Sequence, residues 1–391
     1  MNIVYVFSSL AKIAGTERIL INKMNYLTEF FGFDVTIITY EQGTHPFAFP
    51  LSSKVKHIDL NVRFLTLYQY PRLKRYCKSI QFESLLKGKI CKIIRELAPD
   101  IIICTSYSNT EINIISKLKI DAVKIIESHI SKKHTGNQYK FRNNILLSIL
   151  ARIENYFMKK SYKRFDAIVT LTQDDAKAWK NVTKIYSIPN IIEYIPAESS
   201  SCYNKTAISV GRLSEQKGFD ILINAWNEVH KKHSDWKLSI YGNGNDKNVL
   251  INYIKQYQLD NIIEIKEPTS DIYKQYLDNS IYIMSSRYEG FGLVLIEAMS
   301  CGVPCISFDC PYGPREIIKD NVDGILVKKI DSHALADKIC YLIENDKIRI
   351  SMGKKSKEDV VRYLPKNIMP LWEKLFSDLI EQKKSLLLQK K

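Results

Sequence analysis

Short apolar runs rich in β-branched residues alternate along the chain with longer segments in which apolar residues recur every three or four positions. The short runs are typical of buried parallel strands, and the longer segments are typical of helices that cover such strands. The first half contains five runs of this kind, at residues 2–7, 34–40, 100–104, 123–128 and 166–172. This alternation predicts a parallel α/β sheet.

The same alternation starts again in the second half, with runs at residues 206–211, 237–242, 262–266, 281–286, 304–308 and 324–327. Between the two sets, residues 187–205 contain two prolines and a serine cluster without a helical period, which indicates an interdomain linker. The pattern predicts two doubly wound, parallel-sheet Rossmann-like domains, residues 1–190 and 191–365, that face each other across a cleft. A helix over about residues 366–386 follows, and we expect that it can pack back on the first domain.

The start of the chain and its cysteines narrow the class of protein. Residues 1–12 are apolar but carry no basic residue before the apolar run, so they predict a first strand and not a signal peptide. No stretch approaches about 18 uninterrupted apolar residues, so no membrane-spanning helix is expected. The eight cysteines form no C-x-x-C pair and have no histidine at zinc spacing. Reduced thiols in a cytoplasmic protein are therefore the expectation.

The net charge of +15 is concentrated in the first half of the chain. Residues 1–190 contain 29 Lys and Arg against 15 Asp and Glu, whereas residues 191–391 contain 28 against 27. This asymmetry indicates an anionic partner, such as a phospholipid surface or a phosphorylated substrate, unless it serves only solubility. No nucleic-acid-binding motif is present, so no nucleic acid is expected as a partner.

The candidate chemistry is most concentrated in RYEGFGLVLIEAMSCGVP, residues 287–304. Glu289 follows a predicted strand, at the end of the strand where ligands of such sheets bind. Gly290 and Gly292 permit a tight turn, and a helix predicted to begin near Leu293 offers its N–H groups and positive dipole end to a phosphate.

Glu297 lies within the first turns of that helix. Its carboxylate can accept two hydrogen bonds from a vicinal diol, such as that of a ribose. Carboxylate, helix start and second carboxylate together describe a site for a nucleotide-sugar. The alternative is that Glu289 caps the helix and that Glu297 is solvated.

A second cluster of polar residues lies in VGRLSEQKG, residues 210–218. A predicted strand ends at Gly211 and a helix is predicted to begin near Gly218, with Arg212 and Lys217 on the connection. A bidentate guanidinium and a point charge suit a pyrophosphate. Two surface cations without a ligand are the alternative.

Two further candidates lie in the first domain. Gly15 and Thr16 stand at a predicted helix start, where they can contact a phosphate or an acceptor. The loop is not G-x-G-x-x-G, so the dinucleotide-binding fingerprint is absent. His129 ends the run ESH after a predicted strand, although a lone histidine is more often structural.

Together these elements resemble the retaining glycosyltransferases of family 4, which have the GT-B fold. The most specific part is the E-x7-E element from Glu289 to Glu297. The element V-G-R-L-x3-K-G at residues 210–218, I-P-N at residues 188–190 and A-G-T-E-R at residues 14–18 agree with it in order and spacing. The resemblance covers nearly the whole chain.

The resemblance implies a role for each candidate. Arg212 and Lys217 would hold the donor diphosphate, Glu297 the ribose, and Glu289 and His129 would lie beside the transferred sugar. The donor site implied by the family comprises Gly211, Arg212, Lys217, Glu289, Gly290, Phe291, Gly292, Leu293 and Glu297. The catalytic group would be Glu289, His129, Arg212 and Lys217. The loop at Gly15 and Thr16 would serve the acceptor or a phosphate.

The resemblance also implies the partners. The donor is a nucleotide-diphosphate sugar, with uridine-diphosphate hexoses and N-acetylhexosamines ahead of guanosine-diphosphate mannose. It is a substrate, so no cofactor is expected, and no metal is expected because fixed cations can neutralise the diphosphate. The acceptor is a glycan or a polyprenyl-diphosphate-linked glycan in cell-surface polysaccharide assembly, such as capsule or lipopolysaccharide. CPYGPREII, residues 310–318, resembles a bacterial polysaccharide-assembly subset.

Two basic amphipathic segments, residues 71–97 and 143–165, offer an explanation for the basic half of the chain. Apolar residues at helical spacing flanked by Lys and Arg suit the anionic inner face of a plasma membrane, where the protein would be peripheral. The alternative is that both apolar faces pack on the first sheet. Other functions also stay open: a sugar-nucleotide epimerase or glycan phosphorylase on the same fold, or a non-catalytic basic membrane- or polyanion-binding protein.

Overall fold

A computed structural model describes residues 1–134 and 145–389 and divides the chain into two compact units. The first unit contains Met1–Pro189 and the chain from Pro365 onward, and the second contains Asn190–Leu364. Each has its own parallel sheet, as the alternation of strand and helix patterns predicts. Within the described ranges, no helix combines the length and the apolar character that a membrane crossing requires.

The first unit contains a seven-stranded parallel sheet in the order β3-β2-β1-β4-β5-β6-β7. Its strands are β1 (Asn2–Val6), β2 (Asp34–Thr39), β3 (Lys56–Asp59), β4 (Ile101–Thr105), β5 (Val123–Ser128), β6 (Ala167–Thr170) and β7 (Lys184–Ser187). Its helices include α1 (Gly15–Glu29), α2 (Arg72–Leu97), α3 (Asn109–Ser116), α4 (Ile145–Tyr162) and α5 (Gln173–Ala178). In the central register, Ile3 is paired with Val35 on one side and with Ile101 on the other.

The second unit contains a six-stranded parallel sheet in the order β10-β9-β8-β11-β12-β13. Its strands are β8 (Thr206–Val210), β9 (Lys237–Tyr241), β10 (Ile263–Lys266), β11 (Ile281–Met284), β12 (Cys305–Phe308) and β13 (Gly324–Val327). Its helices are α6 (Phe219–Lys232), α7 (Lys247–Gln256), α8 (Ile272–Leu277), α9 (Leu293–Ser300), α10 (Pro314–Ile317), α11 (Ser332–Glu344) and α12 (Asp346–Asp359). The strand order reverses between β8 and β11, which is where ligands of such sheets bind.

The last helix, α13 (Pro365–Leu388), belongs to the first unit although it follows the second in the chain. Its buried face includes Trp372 and Phe376, and the ammonium group of Lys383 donates to the carbonyl of Ala122 and to the carboxylate of Asp166. The first unit is therefore assembled from both ends of the chain.

Two features differ from the sequence prediction. Strands β3 and β7 were not predicted, because both lie at sheet edges and lack a run of buried side chains. Residues 187–205 were predicted as the interdomain linker, and the part from residue 190 onward packs on the second unit. The buried Ile192 donates its N–H to the carbonyl of Tyr363, and Arg349 donates to the carbonyl of Cys202.

Candidate functional site

The second unit brings two polar loops together where its strand order reverses. One loop follows β8 and leads into α6, and the other follows β11 and leads into α9. Because β8 and β11 are parallel neighbours, their carboxyl ends lie side by side. All nine donor-site residues implied by the sequence lie on these two loops or on α9. The grouping of Arg212 and Lys217 with Glu289 and Glu297 is therefore a consequence of the sheet topology.

A short ion pair joins the two loops. The ammonium group of Lys217 donates to the Oε1 atom of Glu289 over 2.6 Å, and the hydroxyl of Ser286 donates to the same atom over 2.6 Å. Glu289 is buried, and the Lys217 side chain is mostly buried. A buried carboxylate with a lysine and a hydroxyl as donors is held in one orientation. This arrangement does not match the alternative in which Glu289 caps α9.

Glycines allow the two loops to approach each other closely. Gly218 has a φ of +63°, and a Cβ atom there would lie 2.2 Å from the carbonyl oxygen of Ser285. Gly292, the N-cap of α9, has a φ of +100°. Both conformations are costly for residues with a side chain. The glycines therefore fix where Lys217 and the start of α9 lie.

A second set of contacts joins the loops beside the ion pair, and it involves residues that the sequence analysis did not single out. The guanidinium of Arg287 donates to both carboxylate oxygens of Asp220, over 2.9 and 2.6 Å, and to the carbonyl of Glu215. Gln216 donates to the carbonyl of Tyr288. The sequence feature that could have indicated Arg287 is the run of polar residues directly after the buried strand β11.

The bidentate ion pair between Arg287 and Asp220 also changes the pKa of both groups. Its hydrogen bonds raise the pKa of the Arg287 guanidinium above its ordinary value. Burial opposes ionisation of Asp220, but Arg287 outweighs burial and holds the pKa of that carboxyl below its usual range. Both groups are charged at neutral pH, so the connection between the loops is an ion pair.

Glu297 lies in the interior of the second unit on α9. Its side chain accepts a hydrogen bond from the hydroxyl of the buried Tyr276 over 3.2 Å, and Glu297 itself is 3% exposed. The alternative that Glu297 is solvated is therefore wrong. Arg212, by contrast, is exposed on the loop after β8, where its guanidinium can reach a ligand.

The remaining predicted site residues lie on the first unit. Gly15 and Thr16 open α1 at the carboxyl end of β1, and the Thr16 hydroxyl is 2.8 Å from that of Tyr107. His129 directly follows β5, and its Nε2 atom is 3.2 Å from the Oε2 atom of Glu127. Strand β4 lies between β1 and β5, so these residues occupy separate places along the same edge of the sheet.

Sequence profiles of two families cover most of the chain. The profile described as Glycosyltransferase Family 4 matches residues 13–194, and the profile described as Glycosyl transferases group 1 matches residues 194–359. An uncharacterized glycosyltransferase of Methanocaldococcus jannaschii is 31% identical over 313 residues, which are 69% of this chain and 74% of that protein. The chain belongs to glycosyltransferase family 4.

Other relatives carry more informative names. The amylovoran biosynthesis glycosyltransferase AmsD of Erwinia amylovora is 25% identical over 383 residues, 93% of this chain and 96% of that protein. The GtfA subunit of a UDP-N-acetylglucosamine–peptide N-acetylglucosaminyltransferase of Streptococcus pneumoniae is 29% identical over 271 residues, 66% of this chain and 52% of that protein. The chain is thus similar to transferases along most of its length.

Solved structures agree on the fold. TarM of S. aureus, in a complex with UDP, aligns with a TM-score of 0.74 at 17% identity over 96% of this chain and all of that chain. Sucrose-phosphate synthase of Thermosynechococcus elongatus aligns with a TM-score of 0.79 at 17% identity over 97% of this chain and 99% of the other. The family 4 transferase therefore has the GT-B fold of two parallel-sheet α/β domains.

Proposed function

We propose that this transferase moves a hexose or N-acetylhexosamine, with retention of configuration, from a uridine-diphosphate sugar to a glycan or lipid-linked glycan acceptor. The observation that carries the proposal is the contact of Lys217 with Glu289 at the reversal of strand order. The names of AmsD and GtfA support an acceptor in a surface polysaccharide and a uridine-diphosphate donor. The second unit would bind the donor and the first the acceptor.

The chemistry follows from where charge develops. When the bond between sugar and phosphate breaks, the sugar becomes positive and the leaving diphosphate gains negative charge. Fixed cations stabilise that transition state more than the ground state. Arg212 is exposed on its loop, and the diphosphate would replace Glu289 as the partner of Lys217. The released Glu289 carboxylate would then face the hydroxyls of the transferred sugar.

The first test is a panel of nucleotide-sugars. Hydrolysis and binding of each donor are measured with and without EDTA for the wild type, Glu289→Gln and Asp235→Asn. Asp235 is the matched control. It forms an ion pair with Lys205 over 2.5 Å in the same unit, near the amino ends of β8 and β9, whereas the candidate site lies at the carboxyl ends. We expect one donor to be selected, EDTA to have no effect, and Glu289→Gln alone to lose turnover.

Other outcomes separate the alternatives. Conversion of the donor into an isomeric nucleotide-sugar would favour an epimerase. If no donor binds in any condition while polyanion binding survives Glu289→Gln, the transferase proposal is wrong and a polyanion-binding role replaces it. Loss of turnover with EDTA would refute metal independence alone.

We also propose that the first unit docks on an anionic membrane surface. Helix α2 divides its apolar positions: Ile90 and Ile94 are buried in the core of the first unit, whereas Leu73 is 86% and Ile80 is 53% exposed. The exposed half lies beside Lys74, Arg75 and Lys78. The sequence analysis offered two alternatives for the apolar face of this helix, contact with a membrane or packing on the first sheet. Neither describes the whole helix, because one half packs on the sheet and the other faces solvent.

Helix α4 repeats the pattern on the same core. Its Met158 and Tyr162 pack in the cluster that also contains Ile90 of α2, whereas Ile153 and Phe157 are exposed ahead of its basic last turn. Residues 143–144 of the predicted amphipathic segment lie outside the described residues. Exposed apolar side chains next to lysines suit an interface with anionic lipid.

Vesicle sedimentation tests this docking. Vesicles with about one-third anionic lipid are expected to retain the wild type, and vesicles of zwitterionic lipid are not. The variant Leu73→Ser/Ile80→Ser is expected to lose most of the binding. The control Val249→Ser/Tyr253→Ser removes two exposed apolar side chains of α7 and is expected to bind normally. Equal binding to both lipid compositions would contradict the proposal.

A further inference from the structure

A buried cluster of ionisable side chains that includes His129 lies in the first unit. It contains Lys23 of α1, Glu127 of β5 and His129, and the side chains of all three are at most 4% exposed. Lys23 forms a short ion pair with the Oε1 atom of Glu127, and the Oε2 atom of Glu127 is 3.2 Å from Nε2 of His129. One carboxylate therefore joins the cation to the imidazole.

The C-terminal helix completes this cluster. The ammonium group of Lys23 lies 4.0 Å from the centre of the Trp372 ring of α13 and 5.3 Å from that of Tyr5. A cation that contacts aromatic faces is partly compensated for its lost hydration. The end of the chain thus returns from the second unit to cover the cation that pairs with Glu127.

The charge state of the cluster follows from these contacts. Burial opposes ionisation of Glu127, but Lys23 and His129 outweigh burial and lower the pKa of its carboxyl. Burial lowers the pKa of Lys23 against the attraction of Glu127. Buried ion pairs contribute little to stability compared with apolar side chains of the same size. Stability alone therefore gives no reason for this cluster to be charged.

The position of the cluster at the carboxyl end of β5 suggests a functional role. Glu127 is the second-last residue of β5 and His129 follows the strand directly, so their side chains meet at its carboxyl end. We propose that Glu127 is a positioning residue that accepts a hydrogen bond from Nε2 of His129 and so holds the imidazole in one orientation, with Nδ1 unprotonated and able to accept a hydrogen bond. Lys23, held beneath Trp372, keeps the carboxylate ionised and in place. This inference rests on the proposed transferase function and on the catalytic place that the family resemblance implies for His129.

The test replaces the ion pair without leaving a buried charge. In Lys23→Met/Glu127→Leu both charged groups become apolar, which preserves stability in comparable pairs. The matched control is Asp166→Asn/Lys383→Met, which removes an ion pair between α13 and the residue that precedes β6. We expect the first variant to lose about 10- to 100-fold in kcat with little change in donor KM, as displaced catalytic groups do. The control should retain wild-type rates.

A double-mutant cycle with His129→Gln separates positioning from structure. If Glu127 acts through His129, Lys23→Met/Glu127→Leu causes no further loss in the His129→Gln background. A further loss of the same size in that background would overturn the proposal, as would wild-type kcat in the Lys23→Met/Glu127→Leu variant.

Nitrogen-15 NMR of the histidine side chains supplies a readout that does not need turnover. In the wild type we expect the His129 signals of a ring with its proton on Nε2, and in Lys23→Met/Glu127→Leu we expect a mixture of tautomers. Unchanged signals would overturn the proposal even if the wild type hydrolysed no nucleotide-sugar. That failure of turnover would instead refute the proposed function.

Discussion

Lys217 and Glu289 are 72 positions apart in the chain, and their charged groups are 2.6 Å apart in the second unit. Each stands on the loop that follows one of two neighbouring strands, β8 and β11. The pair exists because the strand order reverses at this point, which places two loops from distant parts of the chain side by side.

Replacement of Lys217 by Met is expected to lower kcat for the selected donor about 100- to 1,000-fold, because a preorganised charge stabilises the developing diphosphate charge. Donor KM should change much less. Steady-state kinetics measures both constants. Lys205→Met, which removes the Lys205–Asp235 pair near the amino ends of β8 and β9, should keep normal rates. A purely KM-based loss in Lys217→Met would show that this lysine binds donor and transition state equally.

The bidentate ion pair between Arg287 and Asp220 should be essential for the geometry of the two loops. Arg287→Lys retains the charge but cannot donate to both oxygens of Asp220 and to the Glu215 carbonyl, so kcat is expected to fall about 10- to 100-fold. Asp220→Asn should cause a similar loss, and the double variant little more than either single one. Additive losses in the double variant would mean that the two residues act independently.

Gly218→Ala should destabilise the second unit. Its positive φ and the 2.2 Å approach to the Ser285 carbonyl make a Cβ atom costly, by about 3 kcal/mol in the free energy of unfolding. Gly88→Ala on α2 is the matched control, because no atom lies within 4 Å of its Cβ position. There we expect a gain of about 0.5–1 kcal/mol. Urea unfolding measures the free energy of unfolding of both variants. Equal changes in the two variants would contradict the special role of Gly218.

The stability of the first unit should depend on the protonation of Glu111. Burial raises the pKa of this carboxyl to about 8 from an ordinary 4.5, although it accepts a hydrogen bond from Tyr40. Between these values the folded protein holds a proton that the unfolded chain releases. Stability therefore falls as pH rises through this window, by at most about 1.4 kcal/mol per pH unit.

Glu111→Gln should remove that contribution. Thermal midpoints measured at pH 5.5 and pH 7.5 should decrease less with rising pH in Glu111→Gln than in the wild type. The control Glu96→Gln changes an exposed carboxylate of α2 and should follow the wild type. An identical decrease in all three proteins would show that Glu111 is ionised in the folded state.

The sequence alone determined the fold class and most of the candidate site. Buried parallel strands require continuous apolar runs, so the eleven runs identified in the chain are all strands. Glycines and charged residues directly after such runs indicated where Glu289, Arg212 and Lys217 lie. Edge strands such as β3 and β7 escaped detection because fewer of their side chains are buried.

Only the tertiary structure decided which residues meet. Strand order cannot be read from periodicity, so the pairs Lys217–Glu289 and Arg287–Asp220 became visible only when β8 and β11 were placed side by side. The cluster of Lys23, Glu127 and His129 depends in the same way on how α1 and α13 pack against β5. Hydrophobic periodicity is local along the chain, whereas ion pairs join residues brought together by the packing of the whole domain.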